Sequence, residues 1–200
     1  MQIMSECNLA KIVIEILSGK VMVFPTETSY AIGCDATNQA AVDRIFDIKG
    51  REGNKPLLIV VDSTETAKKY LHWSENLQKL ADKYWPGAVT VVGESIEDHL
   101  AKGVIKRDGT VGLRVSAYPL LKSITEKIGR PLVATSANIA GEENLYDAKK
   151  IIEVFFKQKN QPDIILDYGM LPTKPPTTVV SVIGDDIKIL RQGELLINLN

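Results

Sequence analysis

The sequence predicts an α/β fold built on a mixed sheet, and three observations predict it. Apolar residues at helical i, i+3, i+4 spacing alternate along the whole chain with short apolar or β-branched runs. One such run, Pro56 to Val61 (PLLIVV), is apolar throughout, as in a strand covered on both faces. A pair of runs around Gly184-Asp185-Asp186 reads as a hairpin, which adds antiparallel pairing to the crossover helices. At 200 residues and 44% hydrophobic, the chain can bury one substantial core and hardly two. The expectation is one domain over 1–200: a twisted open sheet with flanking helices.

Taken in order, Leu9, Ile12, Val13, Ile16 and Leu17 make a helical stripe that Gly19 can stop. Lys20 to Phe24 (KVMVF) follows as a strand ended by Pro25. Asn38 can cap a helix whose apolar face is Ala41, Val42, Ile45 and Phe46 and which ends near Lys49-Gly50. After the Pro56 to Val61 strand, Asp62 and Glu65 have the spacing of a capping box. Ser74 can start a helix that buries Leu77, Leu80, Ala81 and Tyr84 and stops at Trp85-Pro86-Gly87. Strands are predicted at Ala88 to Val92, Thr110 to Val115 and Pro131 to Thr135, the last two separated by a helix from Pro119 to Ile128. Tyr146 to Lys157 is helical by pattern, Asp163 to Leu166 is a short strand, and Thr177 to Val182 with Ile187 to Leu190 form the hairpin. Tyr168 to Pro176 (YGMLPTKPP) reads as a surface loop, either a plain connection or a flap over a site.

Composition narrows the function. A net charge of -1 excludes a bulk polyanion binder, so any nucleotide or RNA contact needs a local cationic site. Cys7 and Cys34 lack CxxC spacing, and His72 and His99 lack metal-ligand spacing, so neither a disulfide framework nor a protein-held metal is expected. Glu6 and Glu15 interrupt the N-terminal segment, so no signal peptide is expected, and no run is long enough for a membrane span. The expected compartment is the cytoplasm, with no membrane partner.

Neither GxxxxGK[ST] nor GxGxxG occurs, so phosphate binding would have to come from side chains and strand-end amides. Four segments have the chemistry. Pro25-Thr26-Glu27-Thr28-Ser29-Tyr30 holds more hydroxyls than a turn requires, although a turn alone could also account for it. Lys49-Gly50-Arg51 and Lys55 place three cations between a helix and a buried strand, which suits anionic oxygens or simply a solvated loop at a helix C-terminus. Arg114 closes the apolar strand Thr110-Val111-Gly112-Leu113 and needs an anionic partner, either a ligand or an internal acid. Thr135-Ser136-Ala137-Asn138 ends another core strand, and open α/β sheets bind ligands beyond strand ends.

In this order the segments resemble the YrdC domain family, the threonylcarbamoyl-AMP synthases. The resemblance rests on FPTET-Y-IGCDA at 24–36, IKGR and NKPL at 48–57, YWPGAVTVV at 84–92, TVGLRV at 110–115, PLVATSAN at 131–138, and TTVV with ILRQGEL at 177–195. It implies a YrdC-like open α/β sheet with a concave cationic cavity. There ATP, L-threonine and bicarbonate (as CO2) would give threonylcarbamoyl-AMP and pyrophosphate, making the protein a nucleotidyltransferase. Mg2+ is expected with the ATP. The product would pass to a tRNA threonylcarbamoyl transferase system, with at most a weak contact to tRNA itself, and the protein would be a monomer or weak dimer.

By the same resemblance, Lys49 and Arg51 would be catalytic; Thr28, Arg114 and Thr177 would bind threonine. Arg51, Lys55, Thr110, Ser136, Asn138, Asn144 and Arg191 would bind ATP. The chain departs from the family pattern at Ala31, at Leu58-Ile59-Val60-Val61, where a polar ending is common, and at Ile139-Ala140-Gly141-Glu142-Glu143, which brings two acids near the proposed phosphate site. Two other readings fit the same residues: an RNA-binding or ribosome-associated module using the cavity, and a relative that forms a carbamoyl-adenylate from carbamoyl phosphate.

Overall fold

The computed structural model describes residues 1–4, 8–52, 55–96 and 99–197; Cys7 lies outside them. Strand β1 (Gln2–Met4), which no sequence pattern announced, is followed by helix α1 (Leu9–Leu17), capped by Asn8 and burying Ile12 and Ile16. Strands β2 (Met22–Pro25) and β3 (Tyr30–Gly33) form a hairpin around the hydroxyl-rich turn. Pro25 is the last residue of β2 rather than the first beyond it, a strand position that tolerates the missing N–H. Helix α2 (Gln39–Lys49) is capped by Asn38 and ends at Gly50, whose left-handed φ of 57° favours glycine.

Strand β4 (Ile59–Val61) takes only the second half of the apolar run, because the Leu57 amide donates instead to the Gly103 carbonyl at 2.8 Å. Helix α3 (Thr64–Ala67) is capped by Ser63, whose hydroxyl accepts from the Thr66 amide at 3.2 Å; the Asp62–Glu65 capping box does not form. Helix α4 (Glu75–Tyr84) starts at Ser74 as expected and buries Leu77, Leu80 and Ala81. Strands β5 (Val89–Glu94) and β6 (Thr110–Val115) and helix α5 (Pro119–Ile128) follow their patterns.

The strand expected at Pro131 to Thr135 is two: β7 (Leu132–Val133) and β8 (Thr135–Ser136). Helix α6 (Ala148–Phe156) and strands β9 (Ile164–Leu166), β10 (Thr178–Ile183) and β11 (Asp186–Arg191) complete the chain.

The split strand explains the architecture. β7 pairs with β4 in a six-stranded sheet of order β11-β10-β5-β6-β4-β7, while β8 pairs with β3 in a five-stranded sheet of order β1-β9-β2-β3-β8. Both sheets mix parallel and antiparallel pairs, so the α/β class holds, with the strands shared between two sheets. The chain crosses between them at Ala134, and Gly33 makes the crossing close: a Cβ there would lie 1.8 Å from the Val133 carbonyl oxygen. The larger of two core clusters joins the sheets, including Val23, Tyr30 and Ile32 from the smaller sheet and Ile59, Val91 and Leu113 from the larger. No helix among the described residues is long and apolar enough to cross a membrane.

Candidate active site

The β2–β3 turn decides between the two readings of its hydroxyls. Thr26 Oγ1 donates to the Ser29 carbonyl (2.6 Å) and accepts the Thr28 and Ser29 amides (both 3.2 Å), so one hydroxyl closes the turn. Thr28 is surplus to that task. Its Oγ1 lies 3.1 Å from that of Thr26, and both residues line a cavity of about 380 Å³.

That cavity draws on both sheets. Arg51, Arg114, Ser136, Asn144, Thr177 and Arg191 line it with Thr28, and Ala31, Leu58, Val60, Leu121 and Ala134 make an apolar wall. Arg51, Ser136 and Asn144 also line an adjoining hollow of about 480 Å³, together with Lys49, Lys55, Asn138 and Glu142. The two are lobes of one site joined at these three residues. All the sequence-predicted site residues fall in it except Thr110. That residue starts β6, four residues and about 13 Å of strand from Arg114. Its hydroxyl donates to Asp108 (2.7 Å), and it lines neither lobe.

Lys49 differs from the open phosphate-facing cation that the sequence implies. It is 1% exposed, and its ammonium donates to the Ser136 carbonyl, the Asn138 carbonyl (2.7 Å) and Asn138 Oδ1 (3.0 Å). All three of its N–H groups are used in holding the Ser136–Asn138 turn. Burial, with the neighbouring Arg51 charge second, pulls its pKa down to about 7, against the pull of those three oxygens. Asn138 is equally committed: it accepts from Ser136 Oγ (2.6 Å) and donates to the Glu142 carbonyl (2.5 Å). Lys49 and Asn138 therefore build the wall on which Ser136 and the Ala140 to Glu142 backbone sit.

The remaining cations are more open. Arg51 donates to the Lys55 carbonyl (2.9 Å) and the Pro56 carbonyl (3.1 Å), which fixes the guanidinium between the lobes, and partial burial lowers its pKa. Arg191, also lowered by burial, donates to the Thr177 carbonyl (3.2 and 2.8 Å) and to Thr177 Oγ1 (3.2 Å). Thr177 Oγ1 sits 3.0 Å from Thr90 Oγ1. Asn144 makes no side-chain hydrogen bond among the described residues.

Arg114 has the internal acid that the strand pattern left open. Its Nη2 forms an ion pair with Glu27, and its Nε donates to the Gly87 carbonyl (3.0 Å), supplied by the Trp85-Pro86-Gly87 turn. Glu27 and Ser116, which donates to it, were missed by reading the sequence; the one available signal was an acid in the hydroxyl cluster and a lone arginine at the end of a buried strand. The Tyr168–Pro176 stretch is tied down beside the cavity. Tyr30, its pKa pushed up to about 12 by burial, donates to the Gly169 carbonyl (2.9 Å); Tyr146 donates to the Lys174 carbonyl (2.9 Å), and Pro176 lines the cavity.

This lining can hold several anionic oxygens at once. It offers no metal cage: among the described residues no group of three or more His, Cys, Asp or Glu could hold an ion. The Sua5/YciO/YrdC family model, described as telomere recombination, matches residues 15–193. A putative threonylcarbamoyl-AMP synthase of Methanocaldococcus jannaschii is 32% identical over 182 residues, covering 90% of this chain and 82% of that protein. The threonylcarbamoyl-AMP synthase of Pyrococcus abyssi is also 32% identical, and the chain spans only 52% of its length. The crystal structure of P. abyssi Sua5 complexed with L-threonine superposes with a TM-score of 0.84 at 30% identity, covering 96% of this chain and 58% of that one.

Proposed function

The chain belongs to the Sua5/YciO/YrdC family, and from that premise we propose that it makes threonylcarbamoyl-AMP from L-threonine, bicarbonate (as CO2) and MgATP for the modification of tRNA in the cytoplasm. The observation that carries this reading is the gathering of Arg51, Arg114 and Arg191 in a single cavity whose other wall is apolar. A carbamate and a triphosphate repel each other, and fixed positive charge offsets that repulsion.

In this reading Arg114 takes the threonine carboxylate, with Thr28 and Thr177 alongside, and the apolar wall of Leu58, Val60 and Ala134 meets the side chain. The amine nitrogen bonds to CO2 and loses a proton. A carbamate oxygen then attacks the α-phosphorus, and the bond to the bridging oxygen breaks to release pyrophosphate. Arg51, Lys55 and Arg191 neutralise phosphate oxygens, Ser136 and Asn144 add hydrogen bonds, and Lys49 with Asn138 holds the turn that presents them. Magnesium would come with the nucleotide and would help neutralise the triphosphate, with no carboxylate cage of the protein required to hold it. The protein acts as a nucleotidyltransferase, and a tRNA threonylcarbamoyl transferase system takes the adenylate.

Pyrophosphate release tests the reading, with threonine and bicarbonate omitted in turn. Release is expected only when both are present. Release that is indifferent to threonine would remove the proposal, and release driven by carbamoyl phosphate would replace it.

A further inference from the structure

Glu27 sits on the β2–β3 turn of one sheet, and Arg114 near the end of β6 in the other. Their side chains, 15% and 7% exposed, form an ion pair. Glu27 is itself tightly held: Ser116 Oγ donates to its two oxygens at 3.0 and 2.9 Å, and the Ala117 amide donates at 3.1 Å. Ser116 Oγ in turn accepts from the Tyr118 amide at 3.1 Å. Arg114 Nε also donates to the Gly87 carbonyl. The guanidinium is thus held by two acceptors, Glu27 and the Gly87 carbonyl. Its Nη2 is taken up by Glu27, and no protein atom among the described residues accepts from Nη1. Nη1 is therefore the donor left for an incoming carboxylate, which would gain a charge-assisted hydrogen bond there.

We propose that Glu27 is a positioning residue that aims Arg114 at the α-carboxylate of the amino-acid substrate and balances its charge before substrate binds. Glu27 does not line the cavity, so it acts through Arg114 and not on the substrate. The inference rests on the amino-acid-activating reaction proposed above. It differs from a purely structural role, in which Glu27 only ties the two sheets together: tying sheets would affect all ligands alike, whereas aiming Arg114 affects only ligands that carry a carboxylate.

The test is the preference for threonine over threoninamide, which lacks the carboxylate, measured by calorimetry on wild type, Glu27→Gln, Ser116→Ala and Arg114→Ala. Glu27→Gln keeps the size of the side chain and an oxygen for Ser116, and removes the charge. Its preference should fall about tenfold, in keeping with the sensitivity of bound geometry to small misplacements, while MgATP affinity changes less than about twofold. Ser116→Ala keeps both charges, so it serves if the Gln variant does not fold, and it should move the preference in the same direction by about threefold. Arg114→Ala should abolish the preference. If Arg114→Ala abolishes it and both Glu27→Gln and Ser116→Ala keep the wild-type ratio, the positioning role is overturned and the amino-acid reading stands. If wild type itself shows no preference, both fall.

Discussion

Lys49 shows what a side chain's surroundings add to its identity. From the sequence it is one of three loop cations; in the fold its ammonium is buried and fully committed to the Ser136–Asn138 turn. Lys49→Ala should therefore cost about 3 kcal/mol, read as a shift of the urea midpoint, because it leaves buried oxygens unpaired and a void. Activity should be lost with it. Arg51→Ala removes a charge poised between two lobes and should lower product formation by about a hundredfold with little change in midpoint. Equal midpoint losses in the two variants would contradict this division of roles. The residue types of Thr28, Arg51, Arg114 and Ser136, and their placement near a strand or helix end, were legible in the sequence, whereas Arg191 entered only through the family resemblance. Two things were not. Thr110 shares a motif with Arg114, but it starts the strand that Arg114 nearly ends. Glu27 and Ser116 meet only because two distant segments converge, which no local pattern encodes.

At the scale of elements, helices were the most legible, since periodicity and caps such as Asn38 and Ser74 are local signals. Short strands were not: β3 was not predicted, and β7 and β8 looked like one strand, because a change of sheet leaves no mark in a run of apolar residues. Gly33→Ala should strain that crossing against the Val133 carbonyl and cost about 3 kcal/mol; a neutral effect on thermal unfolding would show the contact to be soft. A second tie joins α2 to the start of β9. Asp163 accepts from Arg44 (2.6 and 3.0 Å) and from the Val21 amide (2.8 Å). Burial raises its pKa, but Arg44, the Val21 amide and Lys20 together outweigh this and hold it below the ordinary value. A carboxylate with a lowered folded pKa stabilises above its unfolded pKa, and that contribution is lost as pH falls through the folded one. Asp163→Asn should thus be less stable than wild type by about 2 kcal/mol at neutral pH, and the gap should close below the usual carboxylate range. A gap independent of pH would mean that shape, not charge, makes the tie.

Across the whole molecule, a net charge of -1 coexists with a cavity lined by three arginines. Charge is concentrated where two anionic reactants must meet, and this is why composition alone excluded little. Such a distribution favours small anions over long nucleic acids, so pyrophosphate formation should not require RNA and should fall only modestly as salt rises. A steep salt dependence with an absolute need for RNA would favour the RNA-binding reading. The central claim, that one hollow joins carbamate to nucleotide, is tested most directly by tracing labelled bicarbonate. With threonine, MgATP and this protein, the label should appear in an adenylate containing threonine, in equal amount to the pyrophosphate released. Pyrophosphate released with the label left wholly in bicarbonate would contradict it.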